Sequence, residues 1–217
     1  MIWSSQIVQQ SVYQGLRRHQ RVNHFPKSYE ITRKDFFYQR IARQLALFGE
    51  RTYDFVPKTY FYPNESEALK REMAPKAGRP SSLWIFKPCA SSQGKGIFVA
   101  SSLDEVPPKQ KYMVSEYIAR PLLINGLKFD LRLYVAITSV NPLRIYLYDE
   151  GLARFATEKY EACTHKNVFA HLTNYSINKK NLDKFVTPQV CTAKDGALLD
   201  EYLKEQVQEN SSKWSLH

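Results

Sequence analysis

The chain has 217 residues, 43% hydrophobic and 24% charged, which is enough to bury a real core in one or two domains. It carries 31 Lys plus Arg against 21 Asp plus Glu, a net charge of +10, together with 14 Tyr and 12 Phe. A surface so basic favours an acidic partner (nucleic acid, an anionic membrane or an acidic protein tail), and the charge alone does not choose among them. Cys89, Cys163 and Cys191 are odd in number and form no CxxC, so reduced thiols are expected rather than a disulfide framework. The five His show no metal-ligand spacing, which argues against a structural zinc site. No apolar run approaches a membrane span and the start is unlike a signal peptide, so a cytoplasmic chain off the membrane is expected.

Residues 1–31 carry no clear pattern beyond a turn at Asn23-His-Phe-Pro26. Thr32-x-x-Asp35 has the form of a capping box. Phe37, Ile41, Leu45 and Phe48 then follow at helical spacing, with Gly49 to close the helix. Arg17, Arg18, Arg21, Lys27, Arg33, Lys34, Arg40 and Arg43 face only Glu30 and Asp35, giving either a solvated helix face or a docking surface for an anionic partner. Asp54 to Tyr62 reads as a short strand with a proline at its edge, and Ser66 to Met73 as a short helix. Residues 74–82, APKAGRPSS, form a loop and a plausible lobe boundary.

The stretch WIFKPCASSQGKGIFV, residues 84–99, reads as strand, flexible loop, strand. Gly94 and Gly96 allow close backbone approach, and loop amides, Ser hydroxyls, Lys95 and Lys87 suit phosphate oxygens. A Walker A loop is excluded because Gly94-Lys95 is followed by Gly96-Ile97 rather than Ser or Thr and a helix. A dinucleotide fingerprint is excluded because no helix follows. The plain alternative is a hairpin with a glycine-rich turn.

Tyr112 to Ile118 is a further strand, and Asn125-Gly126 turns into a long strand from Lys128 to Thr138. There Phe129, Leu131, Leu133, Val135 and Ile137 alternate with Lys128, Asp130, Arg132 and Tyr134. The charged face is either a surface ladder of ion pairs or the wall of a nucleotide cleft. Strands at Leu143 to Tyr148 and Leu152 to Ala156, the second carrying Arg154, suggest an antiparallel sheet. A polar cluster His171-Leu-Thr-Asn-Tyr-Ser176, a turn at Asn178 to Asn181 and a helix at Leu198 to Val207 complete the reading.

WIFKP…SSQGKGI, SEYIARPLLINGLKFDLRLYV, NPLRIYLYDEGLARFA and HLTNYSINKKN, in that order, resemble the tubulin tyrosine ligase-like family, and its polyglutamylases most. NHFPKSYEITRKD and Lys213-Trp214-Ser215 resemble two further landmarks, so the likeness covers most of the chain. The resemblance implies an α/β, ATP-grasp-like fold of mainly antiparallel sheets with flanking helices. Expected domains are an N-terminal lobe over 1–62, a central lobe with the glycine loop over 63–120, and a C-terminal lobe over 121–217. It implies that Lys87, Gln93 and Gly94 meet ATP phosphates and that Ser115, Glu116, Tyr117 and Ile118 meet adenine. Lys128, Phe129 and Asp130 would lie at the nucleotide, with Arg132 facing the reacting groups, so that Lys128, Asp130 and Arg132 are the catalytic set. Thr173 and Asn174 would reach ATP. Arg154 would hold the carboxylate of the free amino acid, and Tyr175, Ser176 and Lys213 would frame it.

The implied reaction is ATP-dependent ligation of free L-glutamate to glutamate side chains in tubulin tails, through an acylphosphate. Such chemistry requires charge neutralisation and alignment, which Lys, Arg and loop amides provide. A paired Arg–carboxylate contact is one that Lys does not reproduce. In the family, Gln at position 93 resembles the elongating type and Arg the initiating type; glycine ligation is a variant. Family members hold Mg2+ with an acidic motif ending in Gly-Phe-Asp and a Leu-Glu-Val-Asn motif. Residues 182–217 match neither, so the magnesium ligands are expected beyond this chain, which is read as a truncated member. The alternative is a non-catalytic, truncated tubulin- or microtubule-binding isoform. A nucleic-acid binder is disfavoured because no recognition motif accompanies the charge. A monomer of the cytoplasm and cytoskeleton, with cilium or basal body as a setting, is the expectation.

Overall fold

The computed structural model describes residues 1–75, 82–89, 94–108, 110–161, 166–181 and 189–191. Gln93, Lys213 and the helix expected at Leu198 to Val207 lie outside them. In chain order the elements are α1 (Gln10–Gln14), α2 (Tyr29–Thr32), α3 (Lys34–Phe48), α4 (Glu50–Tyr53), β1 (Thr59–Tyr62), α5 (Ser66–Met73), β2 (Trp84–Pro88), β3 (Phe98–Ala100) and β4 (Tyr112–Glu116). There follow β5 (Leu123–Ile124), β6 (Leu127–Arg132), β7 (Val135–Val140), β8 (Leu143–Leu147), β9 (Gly151–Lys159), α6 (Val168–His171), α7 (Tyr175–Asn178) and β10 (Gln189–Cys191). The class is α/β with antiparallel sheets and flanking helices, as expected of an ATP-grasp-like chain. No helix among the described residues is long and apolar enough to cross a membrane. The chain divides into two units, Met1–Ala90 with Ser101–Tyr117 and Ser91–Ala100 with Ile118–His217.

In the first unit β4 runs between β1 and β2, antiparallel to both, pairing Ser115 with Thr59 and with Ile85. Its Tyr112, Met113, Val114 and Ser115 are all buried, as a central strand covered on both faces requires. On β2 the period-2 pattern sends Trp84, Phe86 and Pro88 inward and leaves Ile85 and Lys87 half-buried on the other face. Leu69 and Met73, one helical turn apart on α5, complete this core. The ring of Phe86 meets Tyr112 edge-on, and that of Trp84 lies tilted beside Tyr60.

Helix α3 begins differently from the expectation. Thr32 is not its cap: it ends α2, with its hydroxyl donating to Ser28 O, and Arg33 takes the cap position. The Arg33 guanidinium pairs with Asp35, so that carboxylate is engaged by a side chain rather than by a reciprocal cap. Gly49 closes α3 at φ +80°, as expected. The strand expected from Asp54 is shorter, because only Thr59–Tyr62 finds a partner in β4.

In the second unit the sheet order is β10-β9-β6-β5, every pair antiparallel. The single strand expected from Lys128 to Thr138 is instead two. β6 pairs with β9 as far as Arg132↔Leu152, and β7 pairs with β8 in a separate two-stranded sheet. The break falls where Gly151 starts β9: a Cβ there would lie 2.7 Å from Arg132 O, so only glycine admits the approach. Leu131, Leu133 and Val135 are consequently exposed. Alternation is also interrupted at the other end, where the register shifts between Leu127 and Phe129.

Candidate functional site

Lys87 stands on the half-buried face of β2 in the first unit. Burial, and then the ammonium of Lys34 at the start of α3, hold its pKa below the ordinary lysine range. Among the described residues no carboxylate is paired with it. A desolvated ammonium beside a second cation is a ready receptor for an anion. Cys89, one turn further, has its pKa raised by burial and by Asp35, against Lys34 and Lys111. Lys34 was absent from the residues expected at the site, although it sits in the ITRKD stretch of the resemblance; only folding brings it to Lys87. Of the residues expected at the adenine, Ser115 is buried, its hydroxyl accepting from Thr59 Oγ1 at 3.0 Å. Glu116 is exposed at the strand end with its amide on Lys58 O, and Tyr117 is buried with its amide on Leu83 O.

In the second unit the structure joins the glycine loop to the His171–Ser176 cluster. Gly94 has φ +76°, and a Cβ there would lie 2.9 Å from Asn174 Cγ and 3.0 Å from Ile177 Cδ1. Loop backbone and Asn174 side chain thus pack against each other without an intervening side chain. Gly94→Ala is expected to cost about 2–4 kcal/mol, from the left-handed backbone and the crowding together. At about 2–4 °C per kcal/mol this lowers Tm by several degrees; an unchanged melting curve would show that Asn174 gives way freely.

Asn174 is itself held from behind. Its carbonyl accepts from the amides of Ile177 and Asn178 at 3.0 Å each. The side chain of Asn178, 1% exposed, donates to Leu172 O at 2.6 Å and to Asn174 O at 3.2 Å, and accepts from Thr157 N and Thr157 Oγ1 at 3.0 and 2.9 Å. The sequence reading gave Asn178 only as part of a turn. It is the anchor that fixes Thr173 and Asn174 against β9. Tyr175 is exposed, with the Lys179 ammonium 5.6 Å from its ring centre, and Ser176 is half-buried.

On β6 and β9 the register sets Asp130 opposite Arg154. Arg154 Nε donates to both carboxylate oxygens at 3.1 Å and Nη2 donates to Oδ2, a side-on fork. Both side chains are partly buried, 22% and 33% exposed. Lys128 Nζ donates to His171 O at 2.9 Å, Phe129 stacks on Phe155 across the strands, and Arg132 is exposed at the end of β6. Ile118 is exposed. Gln93 and Lys213 lie outside the described residues. Among the described residues no three His, Cys, Asp or Glu gather as a metal site.

The sequence profile of the tubulin-tyrosine ligase family matches residues 11–215. The chain belongs to that family. It is 42% identical over 185 residues to the human protein "Tubulin polyglutamylase TTLL5", covering 84% of this chain and 14% of that protein. It is 41% identical over 173 residues to the mouse "Tubulin monoglutamylase TTLL4", covering 79% and 14%. Against the Caenorhabditis elegans "Tubulin polyglutamylase ttll-5" it is 40% identical over 208 residues, covering 90% and 28%. This family chain therefore spans well under a third of the curated relatives it matches.

Proposed function

We propose that this chain carries the ATP- and amino-acid-handling residues of a tubulin glutamate ligase. The observation that carries the reading is Lys87, a desolvated ammonium beside Lys34 and without a described acidic partner, on the strand that leads into the glycine loop. ATP, when bound, would supply the phosphoryl group that activates an acceptor glutamate carboxylate, to be displaced as inorganic phosphate by the amine of free glutamate. The chain's own residues bind and align. In the first unit Lys87 and Lys34 serve to neutralise phosphate oxygens, and Ser115, Glu116 and Tyr117 serve the adenine; in the second, Gly94, Thr173 and Asn174 serve ATP, and Ile118 the adenine. Lys128, Asp130 and Arg132 serve the reacting groups, while Arg154, Tyr175 and Ser176 serve the free glutamate. The donor chemistry fits the group: Lys87 is a desolvated ammonium with no acidic partner among the described residues, and Gly94 brings loop backbone without a side chain. Magnesium has no comparable donor set among the described residues. The net charge of +10 suits an acidic tubulin tail, in contacts that weaken with salt. Gln93 matches the elongating type.

The test is Lys87→Met, read by binding of a fluorescent ATP analogue and by labelled glutamate entering microtubules. Because burial holds the Lys87 pKa below its ordinary 10.5, the charged form costs stability at all pH below the depressed value, and that cost fades as pH rises toward 10.5. Lys87→Met therefore raises Tm at neutral pH. It weakens nucleotide binding about tenfold to hundredfold, the worth of a charged hydrogen bond. Bound phosphate pushes the lysine pKa back up, so in the parent chain nucleotide binding takes up protons and weakens as pH rises. A lower Tm with unaltered nucleotide binding would make Lys87 structural. Salt-sensitive microtubule binding with neither nucleotide binding nor labelling would replace this reading by a tubulin-binding one.

A further inference from the structure

A cleft of about 730 Å³ lies within the first unit, on the side of the sheet opposite Lys87. Its floor is apolar: Tyr38, Ile41 and Leu45 from one stripe of α3, with Tyr60 and Trp84 from β1 and β2. Trp84 and Lys87 differ by an odd number of positions on one strand, so they point to opposite faces. Nothing assigned to the nucleotide other than Glu116 borders it.

The rim is mainly acidic: among the described residues, Glu50, Asp54, Glu72 and Glu116 line the cleft, against the ammonium of Lys58. Lys58 is held by Glu72 at 3.5 Å and feels Glu50 as well. Four carboxylates against one ammonium is a local reversal on a chain of net +10. Trp84, 1% exposed, closes the floor, and its Nε1, without a hydrogen-bond partner among the described residues, is sealed from the cleft as well.

These features specify a ligand with two parts: an apolar group for the α3 stripe and cations for the rim. A polyamine brings cations but no bulky apolar group. An acidic tail is repelled. A peptide brings both, an apolar side chain beside Lys or Arg. We propose that this cleft docks a short cationic segment of a partner protein, an apolar residue flanked by Lys or Arg. Its volume lies in the range of about 300–1,000 Å³ typical of pockets for small ligands, so it takes a few residues rather than a domain face. The proposal does not rest on the ligase reading, and it separates from it in the test.

The probe is the fluorescein-labelled peptide acetyl-Lys-Leu-Arg-Leu-Lys-amide, titrated with the 217-residue chain and followed by anisotropy. The variants are Glu50→Lys with Asp54→Lys, both on exposed residues, and Ala42→Trp, which fills the cleft from α3. Far-ultraviolet circular dichroism checks that they fold. The expected result is saturable binding, weakened at least about tenfold by either variant, with nucleotide binding unchanged. The acetyl-Glu-Leu-Glu-Leu-Glu-amide peptide does not bind, and spermidine does not displace the basic probe at equal charge. Absence of binding at millimolar chain, equal binding by both peptides, full displacement by spermidine, or indifference to both cleft variants would each overturn the proposal.

Discussion

Asn178→Ala lowers the stability of the chain by about 3–4 kcal/mol, which for a protein of this size is a fall in Tm of about 6–15 °C. The side chain is 1% exposed and its amide joins three pieces of chain: β9 through Thr157, the link to α7 through Leu172 O, and the α7 cap through Asn174 O. Truncation leaves the Thr157 amide and the Leu172 carbonyl short of partners in a place water does not reach, and each such loss costs about 1–3 kcal/mol. Asn178→Asp separates the terms. The carboxylate still accepts from Thr157 but faces two carbonyls it used to donate to, so its folded pKa lies above the unfolded value. Stability of that variant is therefore greatest below the ordinary Asp pKa, about 3.9, and is lost as pH rises through the folded value. Differential scanning calorimetry of wild type and both variants from pH 3.5 to 7.5 reads this. Because Asn178 backs Thr173 and Asn174, nucleotide binding falls with it; retained Tm in Asn178→Ala would mean the staple contributes nothing.

Helix α5 was readable from sequence because Leu69 and Met73 recur at one helical turn inside a polar octapeptide, and the structure returns the same bounds. β2 was readable because Trp84-Ile85-Phe86 is an apolar, β-prone run bounded by a loop signal. The strand from Lys128 to Thr138 was misread because period-2 alternation continues through the break. Nothing local to Leu133 and Tyr134 signals that β6 and β7 take different partners; the cause is Gly151, which comes to Arg132 only after folding. Lys34 was missed for the same kind of reason. Its own neighbours suggested a helix cap, whereas its electrostatic neighbour is Lys87. Asn178 was read as a turn former because Asn is common in turns, and burial of an amide is invisible to composition. The motif-level resemblance named the candidate residues, and what it did not carry was which of them hold one another.

Arg154 and Asp130 show what that adds. The family resemblance offers Arg154 to the substrate carboxylate and Asp130 to the nucleotide, and the structure binds the two together along the Nε–Nη2 edge. A guanidinium has five N–H donors in a plane, so the Nη1–Nη2 end stays available for a second carboxylate. In our reading Asp130 fixes the plane of Arg154, and Arg154 presents its free end to glutamate. Arg154→Lys then fails as badly as Arg154→Ala, because one ammonium does not face Asp130 and a substrate carboxylate in the same plane. Both raise KM for glutamate about tenfold to hundredfold, the worth of a charged bidentate contact, with a smaller change in kcat. Asp130→Asn keeps an acceptor but loosens the fork; it raises KM for glutamate by a smaller factor and lowers Tm modestly, since partly exposed pairs are screened. Steady-state incorporation of labelled glutamate, with glutamate varied at saturating ATP, reads the split. A fall in kcat for Asp130→Asn at unchanged KM would instead put Asp130 at the reacting atoms, and Arg154 beside it as their positioning residue.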